Sequence, residues 1–382
     1  MQGVSRILKK MAHTFSVEQK PLLTILSSMQ PICTKRTPLE STTSIMFQVG
    51  HKELLLKSTD LEISLQSSCF ILNSTIDENQ TFLVSGKRIF DIVKELDGVI
   101  DFTFENNQLT LKNGKAKLSL NIKDAQEFPP FPERIENLMH IESDYLLKLL
   151  DKVAFLIPQN NANPSLNGLL FEIDKEQLKL TATDGHCLAQ IKTNKYTLEN
   201  AYKWLLPRRA IIEIKKILEV CEEKTTFVGV CGNQLVFSGE SFNFFTKLLN
   251  DQFPQYKAIL QKEGFVPAVV EKNQFVKTLR RSTCLLSGQF LATQFGFDKQ
   301  QLNVSMQNKE VGNLQEDIPL QRFEGAKLDV RFYAPYLLNG INAFSDEQLT
   351  FYLNSAAKPI IFESNHDEMA MTYLVMPVSQ TN

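Results

Sequence analysis

The chain has 382 residues, 43% of them hydrophobic, and a formal net charge of −2. This length predicts two to four domains with their own cores, and the charge does not by itself indicate a nucleic-acid-binding protein. The sequence contains no apolar run near the ~18 residues that suggest a transmembrane helix.

The six cysteines form no CxxC pair, a pattern typical of reduced thiols in a cytosolic protein. The first ten residues are basic but lack the apolar segment of a signal peptide. Met11 is a second candidate for the start of the protein, so residues 1–10 are left out of the fold prediction. We therefore expect a cytoplasmic protein.

The first predicted elements are an amphipathic helix over 16–30, for which Ser16 is a plausible N-cap, and an alternating strand pattern that begins at residue 54. A second helix is predicted over 86–96. Residues 109–122 are typical of a hairpin that turns at Asn113-Gly114. These elements describe one α+β domain with two helices and antiparallel strands.

The same series of elements occurs twice more along the chain. The alternating segments begin at residues 54, 178 and 302, so that successive copies are 124 residues apart. The later helices are predicted over 143–156, 207–218, 273–286 and 333–344, with Ser143 as a plausible N-cap. A repeat this long can bury its own core, unlike a solenoid repeat. The sequence predicts three domains, with bounds 11–135, 136–263 and 264–382.

Positive charge is concentrated in the predicted helices. Together the six helices carry a net charge of +7, which leaves −9 for the rest of the chain. If the helices line one surface, that surface would attract phosphates without reading bases. The alternative is that lysine and arginine simply solvate the polar faces of amphipathic helices.

A specific resemblance appears in the second copy. Leu166-Asn167-Gly168 and the stretch from Ala182 to His186 resemble the second domain of the beta subunit of bacterial DNA polymerase III, the sliding clamp. Similar matches follow in order over residues 59–62, 85–92, 207–209, 251–256 and 373–377. The resemblance covers about residues 11–378.

The resemblance implies a processivity factor that has no catalytic activity and needs no cofactor or metal. Its fold would be three clamp domains per chain, closed as a head-to-tail homodimer ring around duplex DNA of any sequence. Its protein partners would be the DNA polymerase III alpha subunit, the clamp loader, other polymerases and repair proteins. Each would bind through a linear motif that contains Leu and Phe.

The resemblance also implies a pocket for that motif. Its wall would consist of Leu166, Thr183, Gly185, His186, Cys187, Leu188, Pro254, Ile259, Leu374, Val375, Met376, Pro377 and Val378. An apolar cleft that contains a methionine suits several partners. Cys187 stands where the family usually has arginine, so we expect a more apolar pocket.

Two further sets of residues follow from family positions. The DNA-facing set is Arg36, Lys87, Arg208, Arg209, Lys215, Lys216, Lys277, Arg280 and Arg281. The dimer interface would contain Arg88, Ile92, Leu118 and Leu120 on one side and Leu285 and Leu286 on the other. The alternative for these apolar residues is ordinary domain core.

Two other functions remain open at this point. A divergent scaffold that binds peptides but no longer encircles DNA is favoured by loop 159–165, which lacks the arginine and tyrosine of the family. An enzyme would use the cluster from Asp184 to Cys187. Adjacent residues on a strand point to opposite faces, however, which disfavours a Cys-His pair. A specialised clamp beside a housekeeping one also fits the sequence.

Overall fold

A computed structural model describes residues 13–105, 107–220, 222–287, 291–366 and 368–378. Met11, Cys221 and the last four residues lie outside the described residues. The chain forms two compact units. Unit 1 comprises Met1–Ser143 and Ile212–Lys247, and unit 2 comprises Asp144–Ile211 and Leu248–Asn382.

The described residues form twenty-six strands and six α-helices. The strands are β1 (His13–Glu18), β2 (Ser44–Val49), β3 (Glu53–Thr59), β4 (Ile63–Phe70), β5 (Asn73–Ser74), β6 (Gln80–Ser85), β7 (Val99–Glu105), β8 (Gln108–Asn113), β9 (Ala116–Asp124), β10 (Glu136–Glu142), β11 (Gly168–Ile173), β12 (Leu178–Thr183), β13 (Cys187–Thr193), β14 (Tyr202–Pro207), β15 (Thr225–Cys231), β16 (Gln234–Ser238), β17 (Phe242–Lys247), β18 (Val266–Glu271), β19 (Thr293–Asp298), β20 (Gln301–Asn308), β21 (Gly312–Pro319), β22 (Arg322–Phe323), β23 (Leu328–Phe332), β24 (Gln348–Leu353), β25 (Ile360–His366) and β26 (Met369–Val375). The helices are α1 (Gln19–Cys33), α2 (Gly86–Lys94), α3 (Ser143–Ala154), α4 (Arg208–Val220), α5 (Lys272–Thr283) and α6 (Ala334–Ile341).

All strand pairs are antiparallel. Unit 1 contains one thirteen-stranded sheet in the order β10-β15-β16-β17-β4-β3-β2-β6-β9-β8-β7-β1-β5. Unit 2 contains a nine-stranded sheet, β14-β11-β12-β13-β26-β25-β24-β18-β22, and a four-stranded sheet, β21-β20-β19-β23. No helix among the described residues is long and apolar enough to cross a membrane.

All six predicted helices are confirmed, with ends shifted by a few residues. The observed bounds leave out Glu18 and Glu95 and include Lys272 and Glu219, so the helices carry a net charge of +9 rather than +7. The prediction that Ser16 caps α1 is wrong. Ser16 lies in β1, and its hydroxyl donates to the Asp101 carboxylate at 2.6 Å across the sheet.

The repeated segments at 54, 178 and 302 each contain a strand, a tight turn and the start of the next strand. In each turn one side-chain oxygen accepts from the backbone N–H groups two and three residues later. The acceptors are Asp60 at 3.0 and 2.8 Å, Asp184 at 2.8 and 2.7 Å, and Asn308 at 3.0 and 3.3 Å. Asp and Asn favour such turns because their short side chains reach this backbone. The turn chemistry therefore survives the change from Asp to Asn.

Pairing beyond the turns differs between the three copies. The strand after the first turn, β4, pairs with β17, the last strand of the second copy. The strand after the second turn, β13, pairs with β26, the last strand of the third copy. The strand after the third turn, β21, forms an edge of its sheet in the described structure. The predicted hairpin at 109–122 is confirmed as β8 and β9, and Gly114 adopts the left-handed φ of +57° that the turn requires.

Candidate functional site

The turn between β12 and β13 presents residues 184–186 at the surface of unit 2. Thr183 Oγ1 donates to the carbonyl of Cys187 at 2.6 Å, and the Asp184 carboxylate accepts from two N–H groups of the turn. Gly185 has φ of +93°, a conformation that L side chains rarely adopt. These contacts hold Gly185 and His186 exposed while Cys187 is buried.

The end of the chain lies along this turn. Strand β26 pairs with β13 so that Cys187 faces Val375 and Leu188 faces Leu374. Beyond the strand, Met376 N donates to the His186 carbonyl at 2.9 Å. Val378 N then donates to the carbonyl of Arg331 at 2.8 Å. The last described residues are therefore fixed beside the turn by backbone hydrogen bonds.

An apolar cluster supports the turn and the chain end. It consists of Leu170, Leu188, Leu205, Phe253, Tyr256, Ile361 and Leu374, with Leu249, Leu260, Phe265 and Tyr352 packed against it. The Tyr256 hydroxyl donates to Glu172 at 2.6 Å. Burial and this hydrogen bond raise the pKa of Tyr256 to about 12, which favours the neutral phenol. The site is thus built on a dry core that long-range strand pairing assembles.

The predicted pocket residues fall into two sets. The buried set is Leu166, Thr183, Cys187, Leu188, Leu374 and Val375. The accessible or partly accessible set is Gly185, His186, Pro254, Ile259, Met376, Pro377 and Val378. Of the predicted wall, only the second set has surface that a peptide could contact.

Sequence reasoning missed two residues of this region. The ring of Tyr336, on α6, stacks on His186 with centroids 5.6 Å apart and planes 18° apart. Arg331, on β23, supplies the carbonyl that fixes Val378. Both lie far from residue 186 in the sequence, and no local spacing connects them to it. The sequence signal that could have pointed to Tyr336 is its place as an aromatic residue in the first turn of a predicted helix.

The buried thiol of Cys187 bears on the enzyme hypothesis. Burial first, and the nearby Asp184 carboxylate second, raise the pKa of this thiol above its ordinary value. The thiolate is the reactive form, so a thiol held protonated is a poor nucleophile. The neighbouring His186 side chain is exposed whereas the thiol is buried. The arrangement does not favour cysteine chemistry here.

Three family models match successive parts of the chain. They describe the N-terminal, central and C-terminal domains of the DNA polymerase III beta subunit, over residues 13–132, 140–255 and 257–379. The chain belongs to the DNA polymerase III beta subunit family. A curated relative, the beta sliding clamp of Pseudomonas aeruginosa, is 26% identical over 372 residues, which is 95% of this chain and 99% of that protein.

Solved structures of beta subunits share the fold. The crystal structure of the P. aeruginosa DNA polymerase III subunit beta has a TM-score of 0.88 and 24% identity, over 96% of this chain and 99% of that one. The C. crescentus beta sliding clamp has a TM-score of 0.88 and 21% identity, with the same coverage. It holds polyethylene glycol at a region proposed to tether the beta motif. The present fold is therefore the three-domain sliding-clamp fold.

Several of the predicted DNA-facing cations are engaged within the chain. Arg208 Nε donates to the Ile157 carbonyl at 3.0 Å. Lys216 pairs with the buried Glu213 at 3.2 Å, one helical turn away. Arg281 pairs with Glu316. These contacts orient the side chains and leave part of their charge compensated.

The other predicted cations differ in exposure. Arg36, Lys87, Lys277 and Arg280 are exposed, whereas Arg209 and Lys215 are half-buried. Helix α5 carries Lys272, Lys277, Arg280 and Arg281 and no acidic residue, so it is the most basic helix of the clamp. An exposed run of cations on one helix can contact phosphates without base readout.

The predicted interface residues lie at the surface. Leu118 and Leu120 alternate with exposed residues along β9 and are half-buried, as are Leu285 and Leu286 just beyond the end of α5. Ile92 is also half-buried and Arg88 is exposed. None of these five apolar side chains has the full burial of domain core, which favours their interpretation as interface residues.

Proposed function

We propose that this protein is a beta sliding clamp that closes with a second copy into a ring around duplex DNA and tethers replication and repair proteins. The family and the three-domain fold support this function. Its domains would span 11–135, 136–263 and 264–382. It would work in the cytoplasm without catalysis of its own.

The observation that carries ring closure is a strand edge left open in the third copy. Ile63 and Cys187 follow the first and second turns at equivalent positions and are 2% and 1% exposed. Val311 takes the same position in the third turn and is 51% exposed. The first two are covered by the last strand of the following copy, whereas among the described residues β21 is an edge strand with no such cover.

The complementary surface lies in the first copy. By repeat position, β9 corresponds to β17 and β26, which cover the two earlier turns. Strand β9 is paired with β6 from Ile122 to Asp124, and among the described residues no strand pairs with Leu118 and Leu120 on that side. A second chain could place its β21 there, head to tail. Such a heterologous contact forms a closed ring when the rotation is completed.

The ring closed in this way would contain duplex DNA. Exposed cations of α5 and its equivalents would contact phosphates in a loose, salt-dependent way. Partner proteins would bind through Leu and Phe anchors at the surface around His186, Pro254 and Met376, where anchors buried in a cleft dominate the binding energy.

The experiment combines two changes at the open edge with a measurement of mass. The double variant Leu285→Lys with Leu286→Lys and the single variant Val311→Glu should give folded monomers by size-exclusion chromatography with light scattering, because obligate interfaces exclude charge. The matched control is Leu39→Lys, which changes an exposed leucine of unit 1 that is not among the predicted interface residues. This variant should remain dimeric. A dimer that persists in both edge variants would contradict this interface.

Retention on DNA separates the clamp from the rival scaffold. A ring should stay on circular duplex DNA of any sequence and be lost when the circle is cut. A peptide-binding scaffold, favoured by the missing arginine and tyrosine of loop 159–165, would show no difference between the two forms. The monomeric edge variants should lose retention while keeping motif-peptide binding.

A further inference from the structure

Unit 1 contains a groove that the sequence did not predict. Its volume is about 1470 Å³, and its walls come from the start of α1, the far end of β4, the end of α4 and the strands β15 and β17. Pockets for small molecules usually measure roughly 300–1,000 Å³. The size of this groove suits a segment of polypeptide.

Four large apolar side chains line the groove and face solvent. They are Phe70, Leu72, Val220 and Phe227. Phe70 is 86% exposed, although a phenylalanine at a strand end can usually turn onto the core. A contiguous exposed apolar patch with a polar rim marks an interaction surface in soluble proteins.

The equivalent place in unit 2 shows that the repeat does not require an open groove. Positions 124 residues later change Pro21 to Tyr145 and Phe70 to Asn194. The Tyr145 hydroxyl lies 2.8 Å from Thr193 Oγ1, and its ring packs edge-on to Tyr196 at 5.5 Å. The hollow that remains there, beside Asn194, measures about 480 Å³. Pro21 in place of Tyr145 leaves more room in unit 1, and Phe70 in place of Asn194 makes the place apolar.

The rim of the groove selects the charge of its occupant. The described lining contains Glu18, Glu53, Glu222, Glu223 and Glu240 but only two cations, Lys20 and Lys224. Glu223 also fixes the turn beside it by accepting from Glu240 N and Ser241 N at 2.6 and 2.8 Å. An acidic rim repels nucleic-acid phosphates and anionic lipids and attracts lysine and arginine.

The backbone at the groove leaves no donor for an added strand at three positions. Ser68 N, Ile71 N and Leu72 N already donate to carbonyls at 3.1, 2.8 and 2.8 Å. This disfavours strand addition at these positions and favours an occupant that binds through side chains, as an amphipathic helix does when its apolar face lies in a groove.

We propose that this groove binds an amphipathic segment of a partner protein, with apolar anchors on one face and lysine or arginine beside them. The anchors would cover Phe70 and Val220, and the cations would face the glutamates of the rim. The groove belongs to unit 1, whereas the proposed motif site belongs to unit 2.

The test uses a labelled helical peptide of about 15 residues with leucines at i, i+3, i+4 and i+7 and lysines elsewhere, read by fluorescence anisotropy. Phe70→Ser, and separately Glu53→Lys with Glu222→Lys, should each weaken binding about tenfold or more. Leu39→Ser is the matched control and should bind like wild type. A twin peptide with glutamates in place of lysines should bind at least tenfold more weakly. Equal binding of the twin, or full binding by Phe70→Ser, would overturn the proposal.

Two other occupants are distinguished by further arms of the same experiment. If a second copy filled the groove, Phe70→Ser would lower the mass measured by light scattering; an unchanged mass supports the partner segment. If residues 1–12 filled it, their deletion would raise the affinity for the lysine peptide about tenfold; an unchanged affinity again supports the partner. Displacement by a Leu/Phe motif peptide would assign the binding to unit 2 and overturn the proposal.

Discussion

The proposed motif site of unit 2 and the groove of unit 1 are two apolar surfaces that differ in exposure. At the proposed motif site, Leu374 is 1% exposed because the chain's own strands cover it. A few accessible residues lie around it. In the groove, the largest apolar side chain, Phe70, is almost wholly in solvent. The first surface is organised before any partner arrives, and the second is completed only when a partner covers it.

This difference comes from strand pairing at two different places in the fold. Strand β26 covers Cys187 and Leu188 on one side of the motif site. The groove lies beside β4 at Phe70, beyond the last residue of β4 that pairs with β17, Ser67. The same architecture therefore yields a supported surface in one place and an uncovered one in another.

The prediction with the largest expected effect compares the stability of variants at the two surfaces. Leu374→Ala should lower the free energy of unfolding by about 3 kcal/mol, because it opens a cavity in a core that cannot fully collapse. Phe70→Ala, a larger truncation, should change it by less than about 0.5 kcal/mol, since the ring has few contacts to lose. Urea unfolding followed by the fluorescence of Trp204, the single tryptophan, reports on unit 2, and circular dichroism reports on the whole chain. An equal loss of unfolding free energy in the two variants would contradict the difference between the two surfaces.

The next effect concerns affinity at the motif site. Deletion of residues 376–382 should weaken binding of a Leu/Phe motif peptide about thirtyfold, because Met376, Pro377 and Val378 belong to the accessible surface. The deletion must begin at 376, since Leu374 and Val375 are buried residues of a central strand. Fluorescence anisotropy measures the affinity.

Salt provides the control for that measurement. Cys187 brings no charge to the site, so affinity for the motif peptide should change little between low and high salt. The lysine peptide in the acidic groove should weaken markedly under the same change. Unaltered motif binding after the deletion would refute the assignment of the site, whereas strong salt dependence would refute only the argument from burial.

The smallest effect is a pH dependence beneath the motif site. The pKa of Tyr256 is raised from 10 to about 12, chiefly by burial, so the folded state favours the neutral phenol. Its contribution to stability is complete below pH 10 and is lost as pH rises toward 12. Tyr256→Phe should remove this part of the pH dependence, as seen in urea midpoints at pH 9 and pH 11. A wild-type profile that matches the variant would show that the phenol titrates normally.

The repeat, the six helices and the α+β composition could be predicted because they depend on short-range patterns. Helix periodicity, the Asn113-Gly114 turn and the 124-residue spacing are all legible without tertiary structure. The N-cap at Ser16 was predicted wrongly for the opposite reason. A serine before an amphipathic helix favours a cap, but its pairing with Asp101 across the sheet depends on a strand far along the chain.

The sequence by itself determined the local elements and the turn at each repeat, because Asp60, Asp184 and Asn308 act on backbone groups within three residues. Tertiary structure alone decided which pocket residues are accessible, that Tyr336 stacks on His186, and that Val311 and Phe70 are uncovered. The burial of a residue depends on strands that come together from distant parts of the chain. Similar local patterns can thus end in solvent or in a core, according to what the rest of the chain places over them.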